Sequence, residues 1–265
     1  MSTKDVITIV LSALALTVSV IATVYNAWRQ RREGERQFRE RITDITGALI
    51  DATAKVAEMD GTPVDQRAPD FDYSRGTELQ RMAALARQAD YLITDDTVSL
   101  LTDVDFLTMA QAFGAVGDTA QASLYWTRAC DSAQRPFYRA INRRLYAAYL
   151  FTLGRPDEGR ALYKSAISDL RDAAPQADDQ LYSGIGWIYE DWMLSEARRG
   201  FSDQAREVKR RAQETYGKIA DPQLREWSVA HLERTGQWLT VAPEAATPAV
   251  PSLAPMRNPP AAPLA

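Results

Sequence analysis

The chain has few of the residue types on which catalytic and metal sites depend. One cysteine, Cys130, and one histidine, His231, stand among 265 residues. A disulfide within the chain cannot form, and a cysteine-rich metal site is excluded. A nucleophile–histidine pair would need His231, whose neighbours Val229, Ala230 and Leu232 favour packing between helices. Phosphate-binding, dinucleotide-binding and G-x-S-x-G motifs are also missing. We therefore predict no catalytic residue, no cofactor and no metal.

The chain also lacks a strong basic patch. Its net charge is −4, and its arginines are concentrated only just after residue 28. Proteins that bind nucleic acid usually carry a basic surface, so we predict no nucleic-acid partner. Hydrophobic residues make up 46% of the chain, which is enough for a buried core in the middle of the sequence.

Charge is missing altogether from residues 6–28. A helix of about 20 apolar residues covers the hydrocarbon core of a bilayer. A cleaved signal peptide usually has a shorter apolar region, of about 7–15 residues, and a buried core helix is seldom so uniformly apolar. The run predicts a single transmembrane helix over 6–28.

Basic residues follow this predicted span and only Lys4 precedes it. The positive-inside rule then places the rest of the chain in the cytoplasm, at a bacterial inner membrane. Aromatic and basic side chains at the end of the run are typical of a membrane interface, and here they are Tyr25, Trp28, Arg29, Arg31 and Arg32.

A heptad stripe follows over 29–59, which we expect to form a helical stalk. One interpretation is a short coiled coil that makes a homo-oligomer; the other is an amphipathic helix packed on the protein's own domain. We favour the second, because Gly47 and Ala52 weaken the seam. A polar linker over 60–76 comes next. The stripe consists of Phe38, Ile42, Ile45, Leu49, Ala52, Val56 and Met59.

The segment 77–241 is expected to be an all-α domain. A capping box at Thr77–Gln80 opens its first helix. Amphipathic segments separated by Gly, Asp or Pro then recur, and no alternating strand pattern interrupts them. Asp221 and Pro222 predict a final helix over 222–235. The Pro- and Ala-rich tail over 242–265 is predicted to be disordered.

Small residues recur around turn glycines within this domain, over roughly 104–217. Gly117 and Gly154 lie 37 positions apart (154 − 117), near the about 34 typical of tetratricopeptide repeats. A weaker third unit surrounds Gly200, with Met193 in place of the small residue. The segment resembles a tetratricopeptide-repeat domain. The residues that carry the resemblance are Ala110, Gly117, Ala122 and Ala129 in one unit, and Ala147, Gly154, Tyr163 and Ala166 in the next.

The resemblance implies a binding surface on the first helix of each repeat. By register it places Gln111, Arg144 and Arg198 near a groove for an unknown protein or peptide, and the arginines could hold a carboxylate as forked donors. A solvated helix face is the alternative. An aromatic cluster nearby is better explained as core than as groove lining; its members are Tyr182, Trp187, Tyr189 and Trp192.

Together these patterns predict a membrane-anchored, non-catalytic scaffold whose helical repeats bind another protein on the cytoplasmic side. The alternative is a structural membrane protein that self-associates through the stalk over 29–59.

Overall fold

The computed structural model describes residues 3–237 except 175 and 177, with side chains from Thr23 onward. This part of the chain contains nine α-helices and no strand, so the prediction of an all-α domain is confirmed. Short 3₁₀ turns lie at Val64–Gln66 and Val98–Leu100. The helices are α1 (Thr3–Asp60), α2 (Phe71–Leu92), α3 (Asp103–Ala115), α4 (Thr119–Ser132), α5 (Pro136–Thr152), α6 (Pro156–Ala173), α7 (Asp179–Arg198), α8 (Ser202–Tyr216) and α9 (Pro222–Gly236).

The transmembrane helix predicted over 6–28 is wrong. Among the residues that the structure describes, no helix combines the length and the apolar character that crossing a bilayer requires. Residues 6–28 belong to α1, a continuous helix of 58 residues whose sequence after residue 28 is strongly charged. The expected location at an inner membrane depends on that span, and nothing in the structure tests it.

The helices pack as consecutive antiparallel pairs. The hairpins are α1–α2, α3–α4, α5–α6 and α7–α8, and α9 packs on the last of them. The second helix of each hairpin also contacts the first helix of the next. The described chain is therefore a helical bundle built like a repeat array, which agrees with the coarse expectation of a helical-repeat fold.

The heptad stripe of α1 faces the protein's own core. Phe38, Ile42, Leu49 and Val56 are buried in a cluster that includes residues of α2, α3 and α4. Of the two interpretations of this stripe, the structure shows the packed amphipathic helix. Residues 23–37 come before the buried part and are almost entirely exposed.

Glycine closes three of the hairpins in the same way. Gly117, Gly154 and Gly200 have φ angles of 81°, 76° and 79°, in the left-handed region that side chains with a Cβ rarely adopt. The residue after each glycine donates its N–H to the carbonyl five positions earlier, at 2.9 Å for Asp118 and Arg155 and at 3.0 Å for Phe201. This bonding pattern ends the first helix and reverses the chain, so the three hairpins share one turn.

Small residues let the paired helices approach each other. Ala110, Ala122 and Ala129 in the α3–α4 hairpin are fully buried, as are Ala147 and Ala166 in α5–α6. A Cβ on Gly159 would lie 2.6 Å from the ring of Phe151, so only glycine fits there. In α7 the position equivalent to Ala110 and Ala147 is Met193, which is also fully buried.

The start of one helix differs from the sequence-based expectation. α2 begins at Phe71 and not at Thr77, whose hydroxyl donates to the Tyr73 carbonyl within the helix at 2.9 Å. A reciprocal capping box instead opens α3, between Thr102 and Asp105. The tail predicted over 242–265 lies outside the described residues.

Candidate functional site

The three predicted groove residues lie on three different helices, α3, α5 and α7. The side chain of Arg144 on α5 is only 11% exposed, and its Nε lies 3.2 Å from Oδ2 of Asp191 on α7. Arg198 is exposed at the end of α7. Burial and the charge of Asp191 raise the pKa of the Tyr163 hydroxyl, whereas its hydrogen bond with Ser195 and the charges of Arg144 and Arg198 lower it. Gln111 lies apart from them on α3.

A cleft of about 530 Å³ lies beside Arg144. It is bounded by the first half of α5, the end of α6 and the first half of α7. This size falls within the range of about 300–1,000 Å³ typical of ligand pockets. The walls are mainly apolar, and the residues that form them include Phe137, Ile141, Leu170, Leu181, Trp187 and Ile188.

Two nitrogen atoms of this cleft are buried without a hydrogen-bond acceptor. They are Nε of Arg144 and Nε1 of Trp187, and the statement covers the described part of the chain. Buried donors in folded proteins are nearly always paired, so an unpaired donor needs an explanation. The residues that line the apolar chamber therefore include two whose buried N–H groups make no hydrogen bond, although Arg144 is ion-paired with Asp191.

An aromatic surface continues from the cleft onto α9. The indole of Trp187 stacks on Trp227 at 6.5 Å and on the ring of His231 at 6.4 Å between centroids. The side chains of Phe137 and Trp227 are 51% and 41% exposed, respectively. Aromatic rings that are partly exposed beside a cleft are common at protein interaction surfaces.

Behind this surface a buried carboxyl group joins three helices. Tyr216 on α8 donates its hydroxyl to Oε1 of Glu190 on α7 at 2.8 Å. Nε2 of His231 on α9 lies 3.4 Å from Oε2 of the same carboxyl. Burial raises the pKa of Glu190 to about 7, a shift that Asp191 increases and the Tyr216 hydroxyl opposes.

His231 packs between helices, as its neighbours in the sequence suggest. Its ring stacks on Trp227 at 5.4 Å and 5°. Burial, and to a lesser degree the charge of Arg234, lower the pKa of His231 below its usual value. The imidazole is therefore held as a neutral packing group at pH 7.

The single thiol is placed for packing and not for chemistry. Cys130 is buried on α4, and burial raises its pKa to about 12. The thiol is thus protonated at neutral pH, whereas a nucleophilic cysteine needs its thiolate. Across residues 3–237, as far as they are described, no three His, Cys, Asp or Glu side chains are grouped in a way that would hold a metal ion.

The aromatic cluster predicted over 182–192 has two different environments. Trp192 is buried and stacks on Tyr163 at 5.5 Å, as a core residue does. Trp187, five positions earlier, lines the cleft. The sequence could have revealed this difference, because five positions correspond to about 500° of helix rotation and turn the two rings to different faces.

The residues predicted at a membrane interface lie on the exposed start of α1. The rings of Tyr25 and Trp28 are 6.1 Å apart, and the guanidinium of Arg32 lies 4.2 Å above the Trp28 ring. Arg31 pairs with Glu35 at 3.1 Å, and Arg29 is exposed. These contacts are all within one helix, and they leave the interface assignment a prediction.

The described residues thus form stacked α-helical hairpins with an open, mainly apolar pocket beside a largely buried arginine, Arg144. Comparisons of the chain with known protein families, with curated proteins and with solved structures find no match.

Proposed function

We propose that the chain is a non-catalytic protein-interaction module, built from tetratricopeptide-like hairpins, which binds a segment of a partner protein. The observation that carries this proposal is the cleft of about 530 Å³ between α5, α6 and α7, with its partly exposed aromatic rim. A chamber of this size accommodates one or two side chains of a bound segment, and the rim offers further apolar contact area.

The finer assignment to tetratricopeptide-like repeats rests on equivalent positions in successive hairpins. The three turn glycines share one geometry, and a small residue stands five positions after each of them, at Ala122, Gly159 and Ala205. All three of these small residues are buried. Proteins built from such hairpins expose the first helix of each pair for binding, and here α5 and α7 form most of the cleft.

Self-association through residues 29–59 is the alternative function. The apolar stripe of this segment is already buried against α2, α3 and α4, from Phe38 to Val56. Association through the stripe would require α1 to leave its own domain, and therefore the cleft is the better-supported interaction surface.

The test is selection of peptides of twelve residues from a displayed random library on the full chain, followed by affinity measurements in solution. We expect binders with micromolar affinity that Phe137→Ala weakens at least fivefold. Tyr138→Ala is the matched control, because Tyr138 is the next residue, is 47% exposed and does not line the cleft. Selection of no binder, or equal losses for the two variants, would reject the proposal.

A further inference from the structure

The charged side chains of the cleft are already engaged with the protein itself. Nε of Arg144 lies 3.2 Å from Oδ2 of Asp191, so the arginine is ion-paired. Asp178 also lines the cleft, and it caps α7 by accepting a hydrogen bond from the N–H of Leu181 at 2.8 Å. A charged ligand would lose its hydration here and gain no unpaired charge among these residues. The cleft therefore favours an uncharged, apolar segment.

Aromatic rings at the cleft indicate what kind of uncharged segment fits. Phe137 and Trp187 line it, and Trp227 on α9 stacks on Trp187 beside it. The side chains of Phe137 and Trp227 are partly exposed to solvent. Proline-rich segments bind grooves lined with aromatic rings, because a polyproline II helix is extended before it binds and loses little entropy.

The chain's own sequence contains such a segment at residues 245–256, beyond the end of α9. These residues carry no charge and include three prolines. Their largest apolar side chains, Val250, Leu253 and Met256, stand three positions apart. A polyproline II helix has three residues per turn, so in that conformation the three side chains share one face. The segment can thus present an apolar face to an apolar chamber.

The cleft lies within reach of this segment. Asp179 at the start of α7 accepts hydrogen bonds from the N–H groups of Ala220 and Asp221, at 2.6 and 2.9 Å, so α9 begins beside the cleft. The 15 residues of α9 extend about 22 Å from there. An extended chain covers about 3.3 Å per residue, so about seven residues after Gln237 are enough to return to the cleft. The segment that begins at residue 245 is the part of the chain that this linker delivers.

Building on the proposed function, we infer that residues 245–256 of the same chain occupy the cleft between α5, α6 and α7 and compete there with the partner segment. Val250, Leu253 and Met256 face the apolar chamber, and the prolines contact the aromatic rim. A short tether gives an effective concentration of about 1 mM, which fills most clefts even at an intrinsic Kd of about 100 μM. A partner must therefore displace the chain's own segment.

Paramagnetic NMR on the full chain tests where the segment lies. The variant Ser252→Cys carries a nitroxide label on its new thiol, since Cys130 is buried. We expect the label to reduce the amide signals of Ala140 and Gly184, which line the cleft, by more than half. The signal of Ala86 on α2 is the internal control and should not change. Signals at the cleft that stay at full intensity overturn the inference.

Paired substitutions test the apolar face of the segment. Val250→Ser with Leu253→Ser should abolish the reduction of the Gly184 signal. Ala249→Ser with Ala254→Ser is the matched control, because it adds two serines outside the shared face and should leave the reduction intact. A reduction that survives the first pair overturns the role assigned to that face.

A mixing experiment distinguishes the chain's own segment from that of a second copy. Nitroxide-labelled chains without ¹⁵N are mixed with unlabelled ¹⁵N chains at the same total concentration. We expect no reduction of the Gly184 signal in the mixture. A reduction as large as that within the singly labelled chain shows binding between copies, and it overturns the occupancy of the cleft by the same chain.

Affinity for selected peptides separates this inference from the proposed function. The variant with Val250→Ser and Leu253→Ser should bind them threefold to tenfold more tightly than the native chain, because its cleft is open more often. Equal affinities overturn the competition and leave the proposed function standing. A reduced Gly184 signal, together with failure of both chains to yield any binder, supports the bound segment and rejects the protein partner.

Discussion

The two halves of the described bundle are stabilised in different ways. The core formed by α1 to α4 is mostly apolar. Its buried threonine Thr46 bonds to the Ile42 carbonyl of its own helix at 2.9 Å, and the buried Tyr125 on α4 donates its hydroxyl to Asp90 on α2 at 2.5 Å. Its buried carboxylate, Glu78, pairs with the half-exposed Lys55. The core formed by α5 to α9 instead buries three carboxylates, on Asp169, Glu190 and Glu196.

Each buried carboxylate of the second half connects separate helices. Asp169 on α6 accepts from Arg139 at 3.1 Å and from Arg143 at 2.8 Å, both on α5. Glu196 on α7 accepts two bonds from Arg160 on α6, at 2.8 and 2.7 Å. Buried ion pairs add little net stability, but removal of one partner leaves an uncompensated buried charge. The difference is one of degree: one buried carboxylate, Glu78, joins helices in the first half, whereas three do so around the cleft in the second.

The largest expected effect is the loss of packing in the first half. Phe113 is 2% exposed and stacks on Tyr125 at 5.6 Å and 7°. Phe113→Ala should lower the free energy of unfolding by about 3–5 kcal/mol, because it removes buried area and leaves a cavity. Urea unfolding, followed by circular dichroism at pH 5 and pH 8, measures the free energy of unfolding, and we expect the variant to lose the same amount at both pH values.

The control for that prediction is Leu124→Ala on α4, since this side chain is 43% exposed. It should change the free energy of unfolding by less than about 0.5 kcal/mol. A loss for Phe113→Ala that depends strongly on pH would show that the first half also relies on buried charge, and the contrast between the halves would then fail.

The second prediction concerns the buried carboxyl group of Glu190 and tests whether the stability of the second half depends on pH. Its pKa is about 7 in the folded protein, against an ordinary value of 4.5 for an unfolded chain. Between these values the folded protein holds a proton that the unfolded chain has lost, so the free energy of unfolding falls as pH rises from about 4.5 to 7. Glu190→Gln removes this contribution. The variant should match the native protein at pH 4 and exceed its stability by about 2–3 kcal/mol at pH 8.

Denaturant unfolding at a series of pH values tests this prediction. Glu226→Gln is the control, because it removes the same charge from an exposed position on α9 and should leave the pH profile unchanged. Two further groups face the Glu190 carboxyl, His231 at 3.4 Å and the hydroxyl of Tyr216 at 2.8 Å. If the Gln variant is less stable than the native protein at pH 8, Glu190 is an ionised hydrogen-bond acceptor there, and the cost of its burial has been misjudged.

Local patterns in the sequence predicted the helices and the turns, because both depend on residues near one another. The glycines at 117, 154 and 200 stand where the turns occur, and the stripe from Phe38 to Val56 is spaced as a packed helix face must be. The cleft was not predictable in this way. It depends on the distance between α5 and α7 near the end of α6, where Leu170 approaches Gly184, and no local pattern encodes that distance.

The transmembrane helix was predicted from the local composition of 6–28, whereas no helix among the described residues has the length and apolar character that a span requires. The prediction of the site residues had the same limit, because it too was made from local sequence. Register placed Arg144 on a useful face, but the unpaired N–H of Trp187 beside it depends on the tertiary arrangement, and the sequence pointed to Trp187 only as a member of an aromatic cluster.

The smallest expected change in the free energy of unfolding concerns the glycine turn that the two halves share. Gly117 in the first and Gly200 in the second have φ angles of 81° and 79°, and a Cβ at either position would meet nothing within 4 Å. Gly117→Ala and Gly200→Ala should therefore each lower the free energy of unfolding by about 1–2 kcal/mol, the backbone cost of a left-handed alanine. Gly47→Ala is the matched control within α1, where the added methyl also meets nothing and should stabilise the helix by about 0.5–1 kcal/mol. Costs for the two turns that differ by more than about 1 kcal/mol would show that the hairpins share their shape but not their energetics, because the backbone term is the same at both positions.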